Sequence, residues 1–159
     1  MPLYYDVKKP CTSNGSANTL STHLRAATVA NQMMCRIMGL YGAARHGVAG
    51  GGVLYGIRPT TAGSGGTSQT PTKRNPNAQA AQTAWTDDNS AITPGGTPLT
   101  QITVGVAQTG GQGGWVALDQ DHAVQLLPGA AAATGNFEVA SKFNGTSVVF
   151  EPLCEFSEA

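Results

Sequence analysis

The sequence predicts an all-β chain: an antiparallel β-sandwich, with the jelly roll as one winding open to it, an extended N-terminal arm and a long polar loop. Three observations carry this. Apolar residues recur mostly at period two, in about seven or eight short runs. Those runs are divided by turns drawn from 21 glycines and 9 prolines, the residues that supply positive φ and fixed φ where a chain must reverse. Short strands at such spacing with Gly/Pro turns between them are the pattern of two packed antiparallel sheets. At 159 residues the chain fits one domain with a sizeable core.

Residues 1–22 are expected to form the arm, ordered only against something else, because Ser, Thr, Asn and Gly dominate from Cys11 to Thr22. The sandwich is then expected over 23–159. Residues 23–42 carry two patterns. Ala26, Ala30, Met33, Met34, Ile37, Met38 and Tyr41 recur at helical spacing, yet Met33–Tyr41 also alternates as a strand. Gly39 and Gly42 each weaken a helix by about 1 kcal/mol relative to Ala, which favours a strand from about Gln32. His46–Gly52 reads as a turn and Val53–Ile57 as a short strand stopped near Pro59. Thr60–Ala84 is the long polar loop; a loop of that length is usually functional or packed on a partner.

Beyond Trp85, the stretch Leu99–Ala107 alternates as a half-buried strand. Trp115–Leu118 and Ala123–Leu127 follow as strands, the second closed by Pro128-Gly129. Asn136–Phe143 is a strand, and Asn144-Gly145 carries the signal of a two-residue hairpin. The last strand, Ser147–Phe156, places Cys154 and Phe156 on one face and Glu151, Leu153 and Glu155 on the other. Pro152 lacks an N–H, which predicts an edge strand or a bulge there.

Charge narrows the function. Lys, Arg, Asp and Glu make up 11% of the chain, against about 25% in ordinary soluble domains. Nine basic and nine acidic residues cancel. A surface so neutral offers little repulsion between copies, which suits a protein that works in an assembly. Two basic doublets and scattered single cations make no nucleic-acid footprint. No apolar run approaches the roughly 20 residues that cross a bilayer. The first residues show no basic-then-apolar signal peptide, so synthesis in a reducing cytoplasm is expected.

Residues that could carry chemistry do not converge in the sequence. No G-x-S-x-G or phosphate-binding glycine motif is present, and nothing nominates an activated nucleophile, so no catalysis is expected. Asp119-Gln120-Asp121-His122 reads as a solvated turn and lacks the spacing of a Ca²⁺ loop; no metal and no cofactor are expected. Cys11, Cys35 and Cys154 are odd in number and widely spaced, so free thiols are expected. Cys11, in its polar segment, is the candidate for a disulfide between subunits. Trp85 and Trp115 read first as core, with an anchor at a subunit contact as the alternative.

Several segments have a familiar style when taken together: Arg45-His46-Gly47-Val48-Ala49-Gly50-Gly51-Gly52, Pro71-Thr72-Lys73-Arg74-Asn75-Pro76, Val106 to Leu118, and Phe150-Glu151-Pro152-Leu153-Cys154-Glu155-Phe156. Over roughly residues 35–159 the chain resembles small structural proteins of tailed bacteriophages, of the capsid decoration (cement) type. That resemblance implies a β-rich fold, no catalysis, and assembly on the capsid surface, often as a homotrimer. Its expected partners are then the major capsid protein and further copies of itself. Lys73, Arg74 and Trp85 are the expected partner contacts. Two other roles share these features. One is a tail, neck or fibre-associated virion protein. The other is a carbohydrate-binding sandwich, which would need exposed aromatics in a row, from Tyr4, Tyr5, Tyr41, Tyr55 and the two tryptophans.

Overall fold

The computed structural model describes residues 2–8, 11–12, 19–26, 32–46, 50–59, 67–87, 99–107, 110–111, 113–118, 121, 123–129, 135–143 and 149–159. Two antiparallel sheets make up the fold, as expected for a β-sandwich. The first sheet runs β11 (Gly113–Ala117), β4 (Cys35–His46), β14 (Val149–Glu158), β1 (Leu3–Lys8), β7 (Thr72–Lys73). To it are added β12 (Val124–Leu126) beside β4 and β2 (Cys11–Thr12) beside β14. The second runs β10 (Gly110–Gly111), β9 (Thr100–Ala107), β5 (Gly50–Ile57), β13 (Asn136–Phe143), β3 (Thr19–Arg25), β8 (Ala84–Asp87), β6 (Thr67–Gln69). β1, β3, β4 and β5 alternate between the layers, and so do β13 and β14, whereas β5 and β9 are neighbours in the second sheet.

The core lies between the sheets. The first contributes Tyr5, Val7, Ile37, Leu40, Leu126, Cys154 and Phe156; the second contributes Leu24, Trp85, Phe137 and Val139. Period two explains the selection: Tyr5 and Val7 face inward, as do Cys154 and Phe156, with polar residues between them facing out. Tyr5 stacks on Phe156 with centroids 5.2 Å apart and rings inclined 20°. Its hydroxyl donates to the Gln79 carbonyl at 3.1 Å, so the one polar atom of this buried ring is satisfied.

Four expectations need correction. The N-terminal segment is not an arm over its described residues. β1 pairs with β14 from Leu3↔Glu158 to Lys8↔Leu153 and lies inside the first sheet. The supposed boundary at residue 22 falls within β3, which pairs with β13 and β8. The apolar alternation Leu3, Tyr5, Val7 outweighs the polar run after it. Second, Gly50–Gly52 lies in β5 and pairs with Gly105 and its neighbours rather than turning. Third, the strands on either side of Asn144-Gly145, β13 and β14, belong to different sheets rather than pairing with each other; residues 144–148 themselves lie outside the described set. Fourth, Pro152 sits in a central strand. It falls between Leu153, paired with Lys8, and Phe150, paired with Cys11. On that side the pairing changes there from β1 to β2. The bulges of β14 against β4 lie elsewhere, at Val149/Phe150 and Glu155/Phe156.

The long polar loop is only partly a loop. Residues 60–66 lie outside the described set, but β6 and β7 form within the remainder and 74–83 pack on the first sheet. Their anchor is Glu158, which is fully buried. Its carboxylate accepts the Gln82 N–H at 3.0 and 3.1 Å and the Thr83 N–H at 2.6 Å. The Gln82 side chain in turn accepts the Met33 N–H at 2.9 Å. Met34 and Ala159 exchange backbone hydrogen bonds at 3.0 and 3.2 Å. A segment with no apolar period of its own is thus held by a buried acceptor on β14.

One glycine is fixed by packing. A Cβ on Gly56 would stand 2.5 Å from Phe137 Cζ and 2.6 Å from Thr100 Cγ2. Phe137 is fully buried and Thr100 nearly so, so neither can withdraw cheaply. Gly56→Ala is expected to lose about 2 kcal/mol through overpacking, read as a lower urea midpoint with an unchanged slope. An unchanged midpoint would mean that this part of the core is loosely packed.

Candidate functional site

The outer face of the first sheet carries the most exposed large apolar side chain of the described residues. Trp115 is 65% exposed. It pairs directly with Tyr41 on β4, Tyr41 with Leu153 on β14, and Leu153 with Lys8 on β1. Pairing across four strands therefore sets these residues in one row. The next residues along their strands, Leu40, Cys154 and Val7, are buried on the opposite face, so the row points outward.

The rings of Trp115 and Tyr41 lie 6.1 Å apart and nearly parallel, at 15°. Tyr41 leans along its strand over Gly39: a Cβ there would approach Tyr41 Cε2 to 2.9 Å. Lying down in this way brings the Tyr41 hydroxyl to Glu155, where it donates at 3.3 Å. Burial, and then the neighbouring Glu155 carboxylate, push the Tyr41 hydroxyl above its ordinary pKa, so it remains a donor. A shallow depression of about 360 Å³ runs beside the row, lined by Lys8, Tyr41, Ala43, Trp115, Glu151 and Leu153.

The charges around the row are satisfied within the chain. Lys8 Nζ lies 3.6 Å from Glu151. Arg74 reaches Asp6 and Glu155, each at 3.0 Å through Nη2, and its Nε donates to both Asp6 oxygens at 3.1 and 3.0 Å. The hydrogen bond to Asp6, with the charges of Asp6 and Glu155, raises the Arg74 pKa further. Exposed pairs of this kind add little stability; their consequence is a face that carries both signs and no strong net field.

The residues expected to contact partners are dispersed. Arg74 borders the face, but its guanidinium is engaged by Asp6 and Glu155 as described. Lys73, exposed on β7, donates to the Ala78 carbonyl at 2.8 Å. Trp85 is 6% exposed and belongs to the core, because β8 turns it inward opposite Leu24; it is not a surface anchor of this chain. Cys11 pairs through its backbone with Phe150, and its side chain lies outside the described residues. The core reading therefore holds for Trp85 and fails for Trp115, which is the exposed tryptophan. The available signal was that Trp115 has only Gly113 and Ala117 at period two, whereas Val116 supplies the apolar opposite face.

Cys35 and Cys154 are buried free thiols. Burial, the larger effect, pushes Cys35 up to about 12, and Cys154 is raised too. At pH 8 the thiolate fraction of Cys35 is then on the order of a thousandfold below that of a free thiol. Iodoacetamide is expected to leave both unmodified in the folded chain and to alkylate both in denaturant, by peptide mass mapping. Rapid native labelling of either would contradict their burial.

Among the described residues, no three His, Cys, Asp or Glu side chains are grouped to hold a metal ion. Asp119, Gln120 and His122 lie outside that set, and Asp121 is exposed. No described helix is long and apolar enough to cross a membrane. The chain matches no protein-family model and shows no significant match to a curated protein.

Proposed function

We propose that this chain is a non-catalytic structural protein of a tailed-bacteriophage virion, of the capsid-decoration type. In this reading it is made in the host cytoplasm, winds as a jelly roll, assembles as a homotrimer and clamps adjacent major capsid subunits at the capsid surface. The observation that carries the reading is the outward row from Trp115 to Lys8. A tryptophan held at 65% exposure on a sheet face that carries both signs of charge has the character of an interface residue awaiting its partner. The scarcity of charge supports the same reading, since identical copies can crowd without repulsion. The pairing of β14 with β4 and β1 on its two sides suits a mechanical part, because force along the chain would shear many hydrogen bonds together.

Electron microscopy of purified particles, with per-particle stoichiometry, tests this. Many copies spread over the shell are expected. A single ring at the neck or a position on a fibre would move the protein to a tail, neck or fibre role, and absence from particles would end the reading. The Trp115–Tyr41 pair favours a second reading, a carbohydrate-binding sandwich, which glycan-array binding by the isolated chain would support.

A further inference from the structure

We propose that the outer edge of β11 is a docking site for an extended segment of another polypeptide, which adds to the first sheet as a further strand beside Trp115. This contact names how the partner of the proposed function is held, and it rests on that reading for the partner's identity alone. What carries it is a difference between the two sides of the sandwich.

On each side a short segment runs from the edge of one sheet to the edge of the other. On the first side β6 borders the second sheet and β7 the first. Both strands are very short, Thr67–Gln69 and Thr72–Lys73, and Pro71, Lys73 and Arg74 stand within or beside them. Residues 74–83 continue from β7 and are tied to the first sheet by Glu158. Short strands, proline and cations are the devices by which a sheet edge discourages further pairing. On the other side β10 borders the second sheet, while β11 and β12 lie along β4 and border the first. Those devices are missing there. Residues 99–118 contain no Asp, Glu, Lys, Arg or Pro, and among the described residues no strand pairs with the outer edge of β11.

The unguarded side also carries the exposed apolar surface. Of the described residues, the large apolar side chains that stand exposed are Leu99, Trp115 and Leu127. Leu99 adjoins β9, Trp115 lies in β11 and Leu127 adjoins β12. In an antiparallel ladder alternate residues direct both backbone groups away from the paired strand. The five residues of β11 therefore offer N–H and C=O groups to the outer side along roughly 17 Å. Extended backbone supplies matching acceptors and donors at that spacing, which makes the occupant a strand. Laid there, it continues the outward row, with one side chain beside the Trp115 indole and its neighbours on the side of Val116, which packs against the core. The edge offers no charge to answer, so an apolar or aromatic residue fits the position opposite Trp115.

Two measurements on the full chain test this. Amide hydrogen exchange is followed at β11, alone and with capsid shells that lack the chain, and binding is screened against overlapping synthetic peptides covering the other virion proteins. In the free chain the outward amides of Gly113–Ala117 are expected to exchange fast, and on binding to slow by about tenfold or more. Trp115→Lys, which sets a charge on the edge, is expected to weaken binding by roughly 30-fold or more. Trp115→Phe is expected to keep most of it, and neither variant should move the urea midpoint much, because the side chain is exposed. Outward amides already protected in the free monomer, or a complex in which β11 exchanges as before, overturn the proposal. So do Trp115→Lys binding as the parent does, β11 edges pairing only between copies of this chain, and failure to bind both shells and peptides. The two readings fail separately. Shells bound with β11 unchanged end the strand docking and leave decoration standing, whereas a tail-protein peptide bound at β11 with the shells refused does the reverse.

Discussion

Glu158→Ala is expected to destabilise the fold by about 4 kcal/mol, through the loss of a buried hydrogen-bond acceptor rather than through the loss of side-chain volume. The Glu158 carboxylate is fully buried and receives the N–H groups of Gln82 and Thr83. Hydrogen bonds to a charged group contribute about 1.5–3 kcal/mol each, and donors stranded without a partner keep their desolvation cost. Glu158→Gln preserves the shape but sets an amide NH₂ against one of these donors, so about half the loss is expected. Urea denaturation gives the magnitude, and amide hydrogen exchange gives the location. Exchange should accelerate at Gln82 and Thr83 well before it does at Val7 or Leu40. A loss below about 1 kcal/mol with unchanged exchange would show that the 74–83 segment is held by something else.

The second large effect concerns Glu138, in the middle of β13. Its neighbours Phe137 and Val139 belong to the core, so Glu138 lies on the other face of the second sheet, yet it is fully buried there. Neither carboxylate oxygen has a hydrogen-bond partner among the described residues. Burial pushes its pKa from 4.5 up to about 7. Between those two values the folded chain keeps a proton that the unfolded chain has released. Stability therefore falls as pH rises across this window and is level above it. The contribution is on the order of 2 kcal/mol after allowance for solvent screening. Glu138→Gln removes the titration, so the variant is expected to gain on the parent as pH rises from about 4.5 to 7 and to keep that advantage at pH 8. Parallel stability curves for the two chains would show that the carboxylate is already paired or solvated.

Glu138 and Glu151 show where sequence reading stops. In sequence both are single acids within alternating strands, and nothing distinguishes Glu138 from Glu151. What separates them is the neighbouring surface: Glu151 meets Lys8 at the edge of an open face, whereas Glu138 is closed over. The two tryptophans teach the same lesson. Each lies in a short strand among small and polar residues. Trp85 is inward only because β8 pairs with β3 in a register that sets it opposite Leu24, and Trp115 is outward because β11 pairs with β4 opposite Tyr41. A register shifted by one residue would exchange the faces, and register is not written in either segment alone.

The sequence by itself determined that this is an all-β chain of short antiparallel strands with a nearly neutral surface. Period-two alternation, Gly/Pro punctuation and residue counts are local or additive properties, so they can be read before any contact is known. Tertiary structure decided which strands share a sheet, that the first segment closes the core beside β14, and that Trp115 faces outward from a row of four strands. Those outcomes depend on pairing between residues as far apart as Leu3 and Glu158. Such pairing is fixed by burying both faces of the whole sandwich at once, and no single segment contains that condition.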